Sequence, residues 1–305
     1  MPELGGGSGH TAGGGATREP RLVHPPMPQV RAIIQRALDE DIGWGDVTTD
    51  CSVPADQWSR GVLLAKQDAV LCGGRVFAEA FPMVDPAVKV ELLVPDGARV
   101  VKGDVAARLE GPTRALLTAE RTALNFLQRL SGVATATAAF VARLQGLPTR
   151  LIDTRKTTPG LRILEKYAVR AGGGHNHRFN LADAVLMKDN HLAALRSRGL
   201  DLAEAGRATK GQVPHTMQVE VEVTALEQIE PALAGGADVI LLDNMSNEEM
   251  REAVRRIKGR ALTECSGNVT LETVRERAET GVDLISSGAL THSSRAVDFS
   301  LEIEV

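Results

Sequence analysis

The sequence has few cysteines and no long apolar run. Its three cysteines, Cys51, Cys72 and Cys265, are scattered and odd in number. Such spacing offers neither a disulfide framework nor a zinc site, and it fits a reducing cytoplasm. No apolar stretch reaches the roughly 18 residues that a membrane-spanning helix needs. We therefore expect a cytoplasmic protein with no membrane partner.

An excess of positive charge is also missing from the chain as a whole. The net charge is −4, which argues against a general nucleic-acid binder. Residues 150–191 nevertheless contain eight Lys or Arg against four Asp or Glu, a local charge of +4 that leaves −8 for the rest. A basic stretch in an acidic protein indicates a focused site for a small polyanion, with a solvated basic face as the alternative.

The chain length of 305 residues favours two domains over a single core. Residues 1–27 are rich in glycine and proline, lack the apolar middle of a secretory signal, and are predicted to be a disordered tail. Residues 28–130 are predicted to form a small β-rich α+β sandwich domain, which a C-terminal strand at 295–305 joins. Residues 131–294 are predicted to form an α/β barrel domain.

Periodicity within the first domain predicts its elements. Residues 30–39 have one apolar helical stripe, and 58–110 resemble short strands, with a Pro-Asp-Gly turn at 95–97. Residues 116–144 form a long predicted helix with Arg121 on its apolar side. A buried arginine there needs an anionic partner, unless it extends to solvent.

From residue 149 onwards, strand-like and helix-like segments alternate. Six strands are expected, in TRLIDT, DAVLMK, QVEVEV, DVILLD, ALTECS and DLISSG. Alternating β and α units imply a parallel sheet. Six strands predict an incomplete α/β barrel, whose site would lie at the carboxyl ends of the strands. An open doubly wound sheet is the alternative, but no GxGxxG turn follows the first strand.

Basic side chains follow the first two predicted strands. Arg155 can hold a carboxylate or phosphate through two parallel hydrogen bonds, and Lys156 adds a point charge. The segment GGGHNHRFN contributes His177 and Arg178, and Lys188 ends the second strand. Polar substrate binding is favoured here over a metal bound by the paired histidines, because no third ligand has zinc-like spacing.

The later strands end in carboxylates and small residues. Alternation in VEVEV places Glu220 and Glu222 on one face, which in a barrel points inward, and Asp243 ends the next strand. Glu222 and Asp243 together predict a Mg²⁺ site, with simple charge balance as the alternative. ECSGN and SSGAL end the last two strands and predict an anion cradle of backbone N–H groups.

Several long blocks in order, from about residue 39 to the end, resemble the quinolinate phosphoribosyltransferase family. They are LDEDIGWGDVTTD, ERTALNFLQRLSG, DTRKTTPGLR, GGGHNHRFNLADAVLMKDNH, VEVEV, LLDN, SGN and SSGALTHS. The usual Ser-Gly-Gly of the family stands here as Ser266-Gly267-Asn268. Asparagine tolerates unusual backbone angles, so the cradle should survive this change.

The resemblance implies a role for each candidate residue. It assigns the quinolinate carboxylates to four side chains: Arg155, His177, Arg178 and Lys188. Arg121 would reach into the site from the other subunit of a homodimer, or of a hexamer, with composite active sites. Phosphoribosyl pyrophosphate would lie near Lys156, with Glu222 and Asp243 beside the ribose and Mg²⁺. The 5′-phosphate cradle would comprise Ser266, Gly267 and Gly288.

The implied reaction transfers phosphoribosyl to quinolinate with loss of CO₂, giving nicotinate mononucleotide and pyrophosphate in NAD biosynthesis. After decarboxylation a proton must reach C2 of the ring, and either Lys156 or His177 could relay it. A related molybdenum-locus paralogue and a non-catalytic sensor of phosphate ligands are the competing interpretations. The intact DTRKTTPGLR and HNHRFN blocks and the acidic pair favour the enzyme.

Overall fold

The computed structural model describes residues 22–304. Most of the expected tail, residues 1–21, lies outside the described residues. Residues 22–27, the end of the predicted tail, lie against the folded chain, because Leu22 packs on the core and Met27 begins the first helix. Within residues 22–304, no helix combines the length and apolar character that a bilayer crossing requires.

The first part of the chain forms a four-stranded antiparallel sheet and a two-stranded ribbon. The strands are β1 Trp58–Ala65, β2 Ala69–Val70, β3 Lys89–Leu92, β4 Arg99–Val100, β5 Val105–Pro112 and β12 Phe299–Glu304. The sheet order is β12-β1-β5-β3, and β2 pairs with β4. The expected turn at 95–97 is present, with Gly97 at φ +89°. The C-terminal β12 pairs with β1, as the expected strand at 295–305 requires.

Three helices cover this part, and two of them differ from expectation. They are α1 Met27–Ile42, α2 Val47–Ser52 and α3 Gly74–Val84. Helix α1 matches the predicted apolar stripe. Helix α2 lies in a segment expected to be a loop, where Asp46 caps it by accepting from the Thr49 N–H. Helix α3 interrupts the stretch expected to consist of strands, because Phe77 and Phe81 recur at helical spacing on its buried face.

Helix α4, Thr113–Arg143, links the two parts of the fold. Its leucines at helical spacing, Leu116, Leu124, Leu127 and Leu130, are buried in a core shared with both sheets. The long predicted helix is therefore confirmed.

The second part contains a six-stranded parallel sheet flanked by helices. Its strands are β6 Arg150–Ile152, β7 Val185–Met187, β8 Val219–Val223, β9 Val239–Asp243, β10 Leu262–Ser266 and β11 Leu284–Ser286, in the order β6-β11-β10-β9-β8-β7. The helices are α5 Arg162–Ala171, α6 Asp189–Arg196, α7 Leu202–Lys210, α8 Ile229–Ala234, α9 Asn247–Ile257, α10 Val274–Ala278 and α11 Ala289–His292. All six predicted strands are present.

The barrel stays incomplete because β6 and β7 are both edge strands of this sheet. A single residue of the GGGHNHRFN segment, His175, lies beside β6 as a parallel bridge to Ile152. Its N–H donates to the Leu151 carbonyl, and its own carbonyl accepts from the Asp153 N–H. The segment thus runs along the open edge of β6 and brings His177 and Arg178 to the barrel interior.

Candidate active site

A cavity of about 290 Å³ opens at the carboxyl ends of the parallel strands. Its lining includes six of the predicted site residues: Arg155, Lys156, His177, Arg178, Lys188 and Ser266. The segments that contribute them are separated by up to about a hundred residues in the chain, and the parallel sheet brings them together because its strand ends meet at one edge.

Two guanidinium groups converge in this cavity without a carboxylate partner among the described residues. Arg155 Nε is buried and has no hydrogen-bond partner, and Arg178 donates to the Ala184 carbonyl at 3.0 Å. Burial and the neighbouring Arg155 lower the pKa of the Arg178 guanidinium, with Glu220 opposing them. Two like charges held together in a partly desolvated cavity favour an anionic ligand between them.

A buried ion pair below the cavity positions the loop that carries His177. Asp153 and Lys166 form this pair, and both side chains are almost fully buried. Asp153 also accepts from the His177 N–H at 2.8 Å and from Asn176 Nδ2 at 2.7 Å. Sequence reasoning did not identify these residues. Asp153 follows a buried strand directly, which is the one local signal that could have pointed to it.

A second buried network fixes the loop that carries Arg155 and Lys156. The fully buried Glu165 accepts from Arg129 Nη2 at 2.8 Å and from the Thr158 N–H at 3.0 Å. Arg129 on α4 also donates to the Ser294 carbonyl at 2.9 Å, beyond the end of α11. The sequence analysis did not identify Glu165 or Arg129. Together these two residues connect the loop that carries Arg155 and Lys156 to Ser294, just after α11.

His177 uses both ring nitrogens within the protein. Its Nδ1 accepts from the Arg178 N–H at 2.7 Å, which assigns the proton to Nε2. Nε2 lies 3.0 Å from Glu220 and 3.7 Å from Glu264. These three residues have the ligand types of a metal site, but a protonated Nε2 is not a ligand. Burial, reinforced by Glu220, raises the pKa of Glu264 well above its usual value.

Two predicted residues at neighbouring strands, one directly after β7 and one on β8, are bonded to each other. Lys188 Nζ donates to Glu222 Oε2 at 2.7 Å, and Glu222 is only 8% exposed. The inward orientation predicted for Glu220 and Glu222 agrees with their burial. Asp243 is half-buried, and one of its oxygens accepts from Asn244 at 2.8 Å.

The carboxylates offer the oxygen donors that Mg²⁺ prefers. One oxygen of Asp243 has no hydrogen-bond partner among the described residues, whereas Glu222 shares its charge with Lys188. Mg²⁺ binds through one or two carboxylates and substrate oxygens. The residues therefore fit this ion, with Asp243 as the more accessible ligand.

The glycines of the expected cradle lie close to other site residues. Gly267 has φ +95°, and a Cβ there would lie 2.2 Å from Asn244 Oδ1. Asn268 also has a left-handed φ of +49°, as expected for this substitution. A Cβ on Gly288 would come within 2.8 Å of Lys156 Cδ. Both positions thus exclude a Cβ, because neighbouring side chains of the protein already occupy that space.

The expectation that Arg121 lies on the buried side of α4 is wrong. The residue is exposed, and it is not among the residues that line the cavity. Its spacing from Leu124 places it at the margin of the apolar stripe, and α4 is covered on only part of its circumference. Within residues 22–304, no hydrogen bond or ion pair involves its side chain.

The fold and the site together define an α/β-barrel enzyme with a site for anionic ligands at the carboxyl ends of its strands. Family models for the N-terminal and C-terminal domains of quinolinate phosphoribosyl transferase match residues 46–131 and 133–302. The chain therefore belongs to the quinolinate phosphoribosyltransferase family, as its motifs indicated. The boundary between the two models falls inside α4.

Similar proteins agree with this assignment. The chain is 42% identical to a "Probable nicotinate-nucleotide pyrophosphorylase [carboxylating]" of Bacillus subtilis, across 90% of this chain and 93% of that protein. It is 41% identical to "Quinolinate phosphoribosyltransferase [decarboxylating] 1b" of Nicotiana tabacum, across 93% and 85%. The structure matches NadC from Streptococcus pyogenes with a TM-score of 0.88 and 41% identity, across 92% and 99%. The predicted fold, an incomplete barrel with a β-rich N-terminal part, is confirmed.

Proposed function

We propose that this chain transfers phosphoribosyl from phosphoribosyl pyrophosphate to quinolinate with decarboxylation, using the cavity at the carboxyl ends of β6 to β11. The products are nicotinate mononucleotide, pyrophosphate and CO₂, in NAD biosynthesis. The observation that carries the site assignment is the pair of guanidinium groups, Arg155 and Arg178, that face one cavity without a carboxylate partner in residues 22–304. A dianionic pyridine dicarboxylate satisfies both.

In this proposal the basic side chains orient the pyridine. Arg155 and Arg178 each bind a carboxylate, and Lys188 adds a third cation at the cavity wall. Holding the ring with its nitrogen facing C1 of the ribose replaces a bimolecular encounter by a positioned one. The nitrogen lone pair forms the bond to C1 as the bond from C1 to the pyrophosphate oxygen breaks.

The carboxylates act on the phosphoribosyl donor. In this proposal Glu222 and Asp243 stabilise positive charge that develops on the ribose. Mg²⁺ bound through Asp243, with Glu222 beside it, would neutralise charge on the departing pyrophosphate. Ser266, Gly267 and Gly288 hold the 5′-phosphate through backbone N–H groups and the serine hydroxyl.

Lys156 is the better candidate for the final proton transfer. After N-alkylation the C2–carboxylate bond breaks, the electron pair stays on C2 beside the cationic nitrogen, and one proton is taken up. Both ring nitrogens of His177 already have protein partners. Lys156 is exposed, and its Nζ forms no hydrogen bond within the described part of the chain.

The proposal also covers how the chains assemble and where the protein is located in the cell. Arg121 is exposed and outside its own chain's cavity, which supports a homodimer, or a hexamer, in which it completes the neighbouring site. A cytoplasmic location is also proposed, supported by three free cysteines.

The decisive assay combines purified protein, Mg²⁺ and phosphoribosyl pyrophosphate with quinolinate or nicotinate in parallel. Quinolinate labelled in its 2-carboxylate should yield labelled CO₂ and nicotinate mononucleotide in equal amounts. Asp243→Asn should lower kcat more than it weakens quinolinate binding. Turnover of nicotinate alone, without CO₂, would reject the proposal.

A further inference from the structure

A second cavity opens at the opposite end of the barrel. Its volume is about 660 Å³, and the first residues of five strands line it: Arg150, Val185, Val239, Leu262 and Leu284. Gln218, just before β8, lines it as well. These positions place the cavity at the amino-terminal mouth of the barrel, away from the strand ends that carry the catalytic residues.

Three basic side chains line this mouth without forming an ion pair within residues 22–304. Arg150 makes no side-chain hydrogen bond there, and Arg170 donates only to the Gly174 carbonyl at 3.1 Å. His175 Nδ1 is buried and lacks a hydrogen-bond partner. All three residues line the same cavity, and burial together with the cationic Arg170 and Arg150 lowers the pKa of His175. Unpaired cations beside an unsatisfied buried nitrogen favour an anion.

Part of the mouth is aliphatic. Five side chains of the strands form this apolar surface: Ile152, Val185, Val239, Leu262 and Leu284. Small-molecule sites typically combine an apolar concave surface with a few convergent polar groups. A cationic rim over an aliphatic wall suits a flat apolar body that carries one acidic group.

The mouth and the catalytic cavity share part of their lining. His177, Arg178 and Glu264 line both. Three carboxylates also line the mouth. Asp183 accepts from the Phe179 N–H at 2.6 Å, and one oxygen each of Glu220 and Glu264 lies 3.0 and 3.7 Å from His177 Nε2. The other oxygen of Glu220 and of Glu264 is buried without a hydrogen-bond partner in residues 22–304. A ligand at the mouth therefore lies beside Arg178, which is itself proposed to hold quinolinate.

We propose that the amino-terminal mouth of the barrel is a second binding site, for an aromatic carboxylate or phosphate, whose occupancy alters the catalytic cavity through His177 and Arg178. Arg150, Arg170 and His175 hold the acidic group, and the aliphatic wall holds the ring. Binding of the anion at the mouth does not depend on which reaction the protein catalyses. The effect of that binding on the catalytic cavity rests on the proposed function.

Binding is tested with 4-bromobenzoate soaked into crystals of the protein. A bromine anomalous peak beside Val239 and Leu284 is expected. Calorimetric titration with benzoate and with phenylphosphonate, without phosphoribosyl pyrophosphate, distinguishes carboxylate from phosphate recognition and should reveal two sites per chain. Arg150→Gln should weaken the mouth site about tenfold, roughly 1.4 kcal/mol. Arg170→Gln provides a second, independent variant, and Arg99→Gln, at an exposed arginine of β4, should change nothing.

The kinetic arm tests the coupling. The aromatic anion should inhibit wild type with a component that quinolinate cannot overcome, and Arg150→Gln should remove only that component. Bromine confined to the catalytic cavity, or mouth affinity unchanged in both arginine variants, would overturn the second site. Binding at the mouth with unchanged KM and kcat would overturn the coupling. The binding result does not depend on whether quinolinate is the substrate, so failure of the second site and failure of the proposed function are distinguishable.

Discussion

Lys188, directly after β7, and Glu222, on the neighbouring β8, lie with Nζ and Oε2 2.7 Å apart. Lys188 is proposed to bind a quinolinate carboxylate and Glu222 to face the ribose, so this ion pair joins the two substrate subsites. Under this proposal, binding of either substrate redistributes charge at the other subsite.

The first prediction is non-additivity between these two residues. Lys188→Ala and Glu222→Gln each remove one side of the same pair, so their losses in kcat/KM should overlap in the double variant by about 1 kcal/mol. A double-mutant cycle on kcat/KM measures this. Glu222→Gln combined with Lys210→Ala, whose partner is Asp238, serves as the control and should be additive. Additivity in both cycles would contradict the coupling of the subsites.

The second prediction concerns space at Gly288. A Cβ there would lie 2.8 Å from Lys156 Cδ and 3.0 Å from the His292 ring, so Gly288→Ala should displace Lys156 into the cradle. The KM for phosphoribosyl pyrophosphate should rise about tenfold, roughly 1.4 kcal/mol, and the KM for quinolinate should change less. Gly211→Ala is matched, since its new Cβ would meet nothing nearer than 3.5 Å. An unchanged donor KM in Gly288→Ala would remove Gly288 from the cradle.

The third prediction tests the buried contacts of Glu165 with Arg129 and Thr158, which fix the loop that carries Arg155 and Lys156. Glu165→Gln leaves the Arg129 guanidinium without its carboxylate, so the free energy of unfolding should fall by about 3 kcal/mol. Urea unfolding measures this loss. Glu248→Gln breaks a surface pair of an 82% exposed glutamate with Arg251 and should cost less than about 0.5 kcal/mol. Equal losses would mean that Glu165 is not a buried anchor.

The fourth prediction is a pH dependence of stability from Glu264. The pKa of Glu264 is raised in the folded chain, whereas a glutamate in the unfolded chain has a pKa of about 4.3. As pH rises past the unfolded value, the unfolded chain loses this proton first, so wild-type stability falls towards the raised folded pKa. Glu264→Gln cannot titrate and should show a smaller fall between pH 5 and 8. Parallel curves for the two proteins would contradict this contribution.

The fifth prediction addresses composite sites. Arg121→Ala and Arg178→Ala chains should each be inactive alone. In a mixed dimer one of the two sites has an intact cavity and receives Arg121 from its partner, so random remixing should recover about a quarter of wild-type sites. Activity is measured after subunit exchange, which light scattering or labelled chains verify. Exchange without recovered activity would place Arg121 at the site of its own chain.

Local pattern in the sequence was sufficient for much of the fold. The strict alternation of VEVEV, the leucines of α4 and the turn at 95–97 depend on neighbours a few residues apart, and each forms as predicted. Helix α3 was not predicted, because it lies between strand-like segments and only the spacing of Phe77 and Phe81 distinguishes it as helical. The family-specific blocks likewise require no knowledge of packing.

The sequence by itself thus determined the order of the six parallel strands, the family and the set of charged residues at the strand ends. Only the tertiary structure decided which of those charges meet. His177 faces Glu220, Asp153 holds Lys166, and Arg129 reaches Glu165. Arg121 is exposed although its spacing suggested burial. Periodicity acts over a few residues, whereas these pairings depend on strand register and on which face of a helix is covered, and both are set by the packing of distant segments.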